Sequence, residues 1–153
     1  MEWSHRDSPI AKKNNSKAFT YSLRLLAARD RAELEIREKL AKKGFLKEET
    51  EEAIAKLRKL GLLDEKKFIK EYVRAKRARH WGPFKVKLGL VALGIQKSDA
   101  DAEIRQTDWR EPLKKLVSSN KGLEKRKLYS KLSRLGFPSD LIKSEMKCEE
   151  QDD

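Results

Sequence analysis

One pattern occurs three times along the chain and constrains its fold more than any other feature. A leucine is followed four residues later by a glycine and then by an apolar residue. The three copies are Leu40, Gly44 and Phe45; Leu90, Gly94 and Ile95; and Leu132, Gly136 and Phe137. Apolar side chains four positions apart share one helical face, and a glycine just beyond them can take the left-handed conformation that ends a helix. Each copy therefore predicts a helix, a glycine stop and a second helix.

The spacing of the three copies predicts an all-α fold, built as an elongated array of three tandem three-helix repeats. The chain has only 7 glycines and 4 prolines, and 41% of its residues are charged, which suits exposed helices. Repeats of about 40–50 residues are marginal alone, so neighbours are expected to share a core. The predicted segments are a flexible N-terminal tail (1–16), repeat 1 (17–63), repeat 2 (64–107), repeat 3 (108–147) and an acidic C-terminal tail (148–153).

The net charge of +12 is unevenly distributed. Residues 29–63 carry 10 basic and 8 acidic side chains, whereas residues 64–97 and residues 114–147 each carry 10 basic and 3 acidic ones. Such a charge distribution attracts polyanions, which include nucleic acid, nucleoprotein and acidic protein surfaces. We therefore expect a polyanionic partner for repeats 2 and 3, and the alternative interpretation is a solvated surface that only keeps the protein soluble.

The basic residues suggest two candidate binding faces, and in the first of them positions 66, 70, 74 and 77 share one side of a helix. The first comprises Lys66, Lys70, Arg74, Arg77, Lys85 and Lys87, with Trp81 beside a chain break as the candidate aromatic contact. The third repeat is similarly basic, and its possible second face comprises Lys125, Lys131 and Arg134. The remaining aromatic residues at helical spacing are predicted to be core, namely Phe45, Phe68, Tyr72, Phe84 and Phe137.

The chain offers little for catalysis or metal binding. It has one cysteine, Cys148, and two histidines, His5 and His80, which are far apart in sequence. Glycine-rich phosphate loops and the motifs of zinc proteases and serine hydrolases do not occur. No apolar run approaches the ~20 residues that cross a membrane. We predict a cytoplasmic monomer without enzymatic activity, cofactor, metal or membrane contact.

The segment from Gly61 to Val73 (GLLDEKKFIKEYV) resembles the hallmark of the RecX family. In that family a Gly-apolar-apolar-Asp turn leads into a helix with inward apolar residues, then basic residues and a further glycine. The matching positions are Gly61, Leu62, Leu63, Asp64, Phe68, Val73, Arg74, Lys76, Arg77 and Gly82. The family's first repeat is matched through Arg29, Glu33, Leu34, Leu40, Gly44 and Phe45, and the third only through Leu132, Gly136 and Phe137. Asp64 is predicted to cap the helix that follows it, and Phe68 to face inward.

This resemblance implies a regulator of the bacterial RecA recombinase. Proteins of the family have three repeats of three helices, bind the RecA filament along DNA and restrain its ATPase and strand-exchange activity in recombination, DNA repair and the SOS response. Any DNA contact is expected to be weak and non-specific, within the filament. The residues alone leave two alternatives open, which are a stand-alone non-specific DNA-binding helical module and a helical scaffold for an unrelated partner.

Overall fold

The structure, a computed structural model, describes the backbone of residues 9–151 and the side chains of residues 17–151. Within these residues every regular element is a helix. The helices are α1 (Pro9–Ala28), α2 (Glu33–Lys43), α3 (Lys47–Lys59), α4 (Glu65–Ala78), α5 (Pro83–Ala92), α6 (Lys97–Gln106), α7 (Arg110–Ser119), α8 (Lys125–Arg134) and α9 (Ser139–Gln151). They follow one another as three groups of three, so the predicted all-α fold with tandem three-helix repeats is confirmed.

The repeated Leu-Gly-apolar pattern forms the C-terminal cap of the middle helix in each group. Gly44, Gly94 and Gly136 have φ angles of 98°, 87° and 98°, the left-handed region that favours glycine. The N–H of the following apolar residue donates to the carbonyl of the leucine, at 3.1 Å for Phe45 to Leu40 and for Ile95 to Leu90, and at 3.2 Å for Phe137 to Leu132. All three leucine side chains are fully buried, so one motif both ends the helix and anchors it in the core.

The chain divides into two compact units, Met1–Phe68 and Ile69–Asp153. In the first unit α1 packs against α2 and α3 around Ala18, Ile36, Leu40, Ala53, Ile54 and Leu57. In the second unit α9 packs against α7 and α8 around Leu113, Leu116, Val117, Leu128, Leu132, Phe137 and Ile142, and α5 packs against α6. The predicted boundary between repeats 2 and 3 stays a prediction, because residues 107 and 108 both lie within the second unit.

Two glycines allow the α4–α5 connection to touch the α8–α9 connection. The N–H of Gly82 donates to the carbonyl of Leu135 at 2.6 Å, and the N–H of Phe84 donates to the carbonyl of Gly136 at 2.9 Å. A Cβ on Gly82 would lie 2.5 Å from the backbone nitrogen of Phe137, and a Cβ on Gly136 would lie 2.5 Å from that of Lys85. This close backbone approach places the first turn of α5 beside the end of α8.

Asp64 caps α4 as the sequence predicts, since its Oδ1 accepts a hydrogen bond from the N–H of Lys67 at 3.2 Å. Phe137 is buried, whereas Phe45, Phe68 and Tyr72 are half-buried. The prediction that Phe84 belongs to the core is wrong, because its side chain is 58% exposed. The buried positions of α5 are Val86 and Leu90, and residue 84 lies on the opposite side of the helix from Val86.

Helices α1 and α9 extend into the two segments predicted as tails. Helix α1 begins at Pro9 rather than after residue 16, because proline suits a first helical turn and the residues after it continue directly into the packed helix from Ala18. Residues 1–8, with Trp3 and His5, lie outside the described residues. The acidic tail is also helical through Gln151, because α9 continues past Cys148 and its acidic side chains find basic partners on the second unit.

Candidate functional site

An open groove of about 730 Å³ lies in the second unit, beside α5 and α8, and we call it the α5–α8 groove. Its walls are formed by Lys85, Leu123, Arg126, Lys127, Ser130, Lys131, Arg134 and Leu135. Five of these eight side chains are cationic, and none is acidic. The groove can therefore attract an anionic ligand or an anionic surface.

The sequence of α8 explains why the basic side chains share one wall. Leu128 and Leu132 lie four positions apart and are buried in the core of the second unit. Arg126, Ser130 and Arg134 are also four positions apart, so they follow another face of the same helix. Burial of the leucines thus turns the basic face outward, and the contact between Gly82 and Gly136 brings Lys85 of α5 to it.

The charges on the α8 wall are largely without internal counterions. Among the described residues, Arg126, Lys127 and Arg134 make no ion pair. Lys131 donates from Nζ to Oδ1 of Asn120, a neutral partner, at 3.2 Å. Cations held close together without acids repel one another, so an anionic partner would relieve that repulsion.

The ring of Trp81 contacts Lys85, the lysine that α5 contributes to the groove. The Nζ of Lys85 lies 4.3 Å from the centroid of the Trp81 ring, and the Nζ of Lys76 lies 4.5 Å from it. Both distances fall within the range of cation–π attraction. Trp81 is half-buried and already engaged by two lysines, so its predicted role as a free aromatic contact stays a prediction.

The first predicted basic face does not act as one free surface. Lys66 and Lys70 are exposed on α4, and Arg74 is exposed but pairs with Glu71 at 2.9 Å. Arg77 instead ties α4 to α7, because its Nε donates to the carbonyl of Asp108 at 2.7 Å and its Nη2 donates to Glu111 at 3.3 Å. In the same way Lys87 of α5 pairs with Asp101 of α6 at 2.8 Å.

Glu111 is held by two cations. A hydrogen bond from Lys115, followed by the Lys115 charge and then by Arg77, lowers the pKa of Glu111 below its ordinary value. The Glu111 carboxylate therefore stays ionised to a lower pH than an unpaired glutamate. Arg77 and Lys87 thus have acidic partners within the second unit, and a partner-binding role for either stays a prediction.

The second predicted face is split between the groove and α9. Lys131 and Arg134 line the groove, but Lys125 pairs with Glu150 outside it. Next to that pair, Lys121 Nζ lies 2.8 Å from a carboxylate oxygen of Glu149. The hydrogen bond from Lys121 lowers the pKa of Glu149, and its burial only partly opposes that effect. Helix α9 therefore neutralises one side of α8 and leaves the groove side basic.

Sequence reasoning missed two features of this site. It did not bring Lys85 to α8, because that meeting depends on a tertiary contact between Gly82 and Gly136. It also treated the C-terminal acids as a free tail. The sequence did contain a signal for this. If the helix that contains Ile142 continues for a few more residues, its acidic side chains come to lie beside α8.

The described residues show neither a metal cluster nor a membrane span. Across residues 17–151 no three histidine, cysteine, aspartate or glutamate side chains are grouped so that they could hold a metal ion. His80 is exposed two residues after the end of α4. Its backbone is left-handed (φ 68°), a conformation that does not continue an α-helix. No helix in the described part of the chain has the length and apolar character needed to cross a membrane.

Comparison with known proteins identifies the family. The family description "RecX, first three-helix domain" matches residues 18–57. The regulatory protein RecX of Thermus thermophilus is 31% identical over 123 residues, which cover 80% of this chain and 85% of that protein. The regulatory protein RecX of Mannheimia succiniciproducens is 34% identical over 97 residues, and the match spans 61% of this chain and 63% of that protein.

A solved structure has the same fold. The crystal structure of RecX from Lactobacillus salivarius aligns with a TM-score of 0.79 at 23% identity, over 89% of this chain and 96% of that one. The match to the Mannheimia protein spans less than two thirds of that protein, whereas the match to the Thermus protein extends over most of both chains. The resemblance seen in the Gly61–Val73 segment is therefore confirmed, and this chain belongs to the RecX family of regulatory proteins.

Proposed function

We propose that this chain, acting as a monomer in the cytoplasm, binds the filament that the RecA recombinase forms on DNA. Binding mainly inhibits the ATPase and strand-exchange activities of the filament, and so regulates recombination and DNA repair. Family membership supports the regulatory role, and the resemblance stated above implies RecA as its target. The protein itself has no catalytic part in this proposal.

The α5–α8 groove is the single observation that carries the proposal. A RecA–DNA filament is a polyanion, and the groove presents Arg126, Lys127 and Arg134 without acidic partners in the described chain. Contacts of this kind fix position on a charged lattice without reading base sequence. Binding should therefore follow the filament rather than any particular DNA sequence.

The direct test is hydrolysis of ATP by the cognate RecA on single-stranded DNA while this protein is titrated into the reaction. We expect inhibition at less than one copy per recombinase subunit, because one regulator on a filament restrains the neighbouring subunits as well. Unchanged hydrolysis at excess protein would contradict the proposal. Titration of bovine serum albumin controls for crowding and for adsorption.

A stand-alone non-specific DNA-binding module is the second candidate function, and the uncompensated cations of α8 favour it. Binding of this kind weakens steeply with salt, with a slope of about 0.7 per phosphate contact on single strands. Measuring DNA binding and recombinase inhibition at the same salt concentration distinguishes the two functions. Strong DNA affinity without any inhibition would favour the module.

A further inference from the structure

Helix α5 is apolar on two opposite sides. Its inner side is formed by Val86 and Leu90, which are both fully buried. Its outer side carries Phe84 and Leu88, four positions apart, which are 58% and 72% exposed. A surface helix ordinarily has one apolar face and one polar face, and a helix that is apolar all round packs against neighbours on both sides. Among the residues that the structure describes, no neighbour covers the outer apolar side of α5.

The exposed pair adjoins the basic groove. Leu88 lies three positions after Lys85 and four after Phe84, so helical geometry places it between these two side chains. Lys85 lines the groove, and Leu123, which is 40% exposed, is an aliphatic part of the same lining. Phe84 and Leu88 together with the groove form one surface, which we call the α5–α8 docking surface. It combines exposed apolar side chains with uncompensated cations.

We propose that the α5–α8 docking surface binds an acidic, amphipathic protein segment. Apolar side chains of that segment would pack on Phe84 and Leu88, and its carboxylates would meet Arg126, Lys127 and Arg134. An apolar anchor surrounded by complementary charge is the usual arrangement where an amphipathic helix lies on a partner surface. This inference rests on the proposed function and deepens it, because it states which class of macromolecule meets this surface.

The side chains favour a protein over nucleic acid. Bases stack on aromatic rings, and the phosphate backbone contacts cations and hydrogen-bond donors. Phe84 is the one aromatic ring among the exposed apolar side chains named for this surface, and Leu88 and Leu123 offer neither a ring nor a polar group. A second copy of the chain is disfavoured by charge, because residues 64–97 and 114–147 each carry 10 basic and 3 acidic side chains.

The test uses the double variant Phe84→Ala/Leu88→Ala in the full chain. Alanine keeps the helical propensity of α5, and both side chains are exposed, so the core is unchanged. The matched control is Leu60→Ala, which removes an apolar side chain that is also 58% exposed but lies in the first unit. Affinity is measured by fluorescence anisotropy for RecA filaments on labelled single-stranded DNA and for the same DNA without recombinase.

We expect the double variant to lose about tenfold or more in affinity for filaments, since truncation of central anchors commonly has effects of this size. Its affinity for free DNA should stay unchanged, as should both affinities of the control. Equal losses for filaments and for free DNA would overturn the proposal in favour of a nucleic-acid surface. Undiminished binding to filaments by the double variant would also overturn it.

A second measurement, of peptide binding, tests the inference without RecA. The probe is a labelled synthetic peptide of about four helical turns, with apolar residues four positions apart and glutamates between them, beside a scrambled peptide of the same composition. We expect the unmodified chain to prefer the ordered peptide and the double variant to lose that preference. Equal binding of both peptides would contradict the inference. If the ordered peptide is preferred but filaments are ignored, the proposed function fails while this inference stands.

A third measurement addresses self-association. Analytical ultracentrifugation of the unmodified chain should show no dimer that the Phe84→Ala/Leu88→Ala variant lacks. A dimer abolished by the double variant would assign the surface to a second copy and overturn the proposal.

Discussion

Glycines with the same backbone conformation have different neighbours in this structure. Gly44 and Gly136 have the same left-handed φ of 98°, but their surroundings differ. A Cβ on Gly44 would have no neighbour within 4 Å, whereas a Cβ on Gly136 would lie 2.5 Å from the backbone nitrogen of Lys85. The two positions therefore separate the cost of backbone strain from the cost of a backbone collision.

We predict that Gly44→Ala destabilises the first unit by about 1–2 kcal/mol, the cost of a left-handed conformation for a residue with a side chain. Gly136→Ala should destabilise the second unit by more than this, because overpacking against backbone adds about 1–3 kcal/mol. Native-state hydrogen exchange at the amides of Leu40 and Leu132 reports each unit separately. If both variants lost the same free energy of unfolding, the result would contradict the contact between the α4–α5 and α8–α9 connections.

Neighbouring arginines on α4 have different roles in the structure. Arg77 is 29% exposed and donates to the carbonyl of Asp108, whereas Arg74 is 81% exposed and pairs with Glu71 on its own helix. We predict that Arg77→Ala lowers the free energy of unfolding by about 1 kcal/mol, through loss of a charged hydrogen bond. The matched control Arg74→Ala should stay within about 0.5 kcal/mol. Urea unfolding followed by circular dichroism would measure both, and equal effects would show that Arg77 does not connect α4 to α7.

At the scale of elements, α9 sets how much of α8 is open to a polyanion. Glu149 and Glu150 pair with Lys121 and Lys125, so these two lysines already have acidic partners. We predict that Glu149→Gln/Glu150→Gln steepens the salt dependence of binding to single-stranded DNA by about 0.7 for each lysine that gains a phosphate contact. The control Glu38→Gln/Glu48→Gln makes the same change in net charge in the first unit, where both acids are exposed. Identical slopes for the two variants would mean that α9 does not mask these lysines.

The same pairing predicts a pH dependence. The pKa of Glu149 is lowered from its ordinary 4.5, mainly by the hydrogen bond from Lys121. The stabilisation from this pair is therefore fully present above pH 4.5 and is lost as the pH falls through the lowered pKa. Carbon-13 NMR of the Glu149 carboxyl should show a midpoint below 4.5, and Lys121→Ala should raise it. A midpoint that does not move in the variant would remove Lys121 as the cause.

Helix positions could be predicted from the sequence, because they depend on local signals. The glycine stops and the Asp64 cap act within a few residues of the chain, and they appear where the pattern predicts. The extent of α9 could not be predicted in this way. Its last turn depends on contacts with Lys121 and Lys125, which lie more than twenty residues earlier in the chain.

At the scale of the whole molecule, the sequence predicted which regions are basic but not which cations are free. Charge counts place the excess of basic residues in the second and third repeats. Ion pairs then divide those cations. Within residues 17–151, Arg77, Lys87 and Lys125 have acidic partners, while Arg126, Lys127 and Arg134 have none. This division depends on tertiary neighbours, so no spacing rule along the chain could have supplied it.

Charge reversal in the groove tests the proposed regulatory function most directly. The variant Arg126→Glu/Lys127→Glu places acids in the first turn of α8, where the helix dipole favours them, so the fold should be kept. The control Lys47→Glu/Lys97→Glu makes the same change in charge at the exposed first positions of α3 and α6. Circular dichroism should show equal helicity in both variants.

The decisive measurement is the titration of each protein into DNA-dependent ATP hydrolysis by the cognate RecA. We predict inhibition by the unmodified chain and by the control, and about a tenfold or greater rise in the half-inhibitory concentration for Arg126→Glu/Lys127→Glu, the size expected when paired charges at an interface are reversed. Inhibition by the groove variant at the same concentration as the unmodified chain would contradict a regulator that acts through this groove.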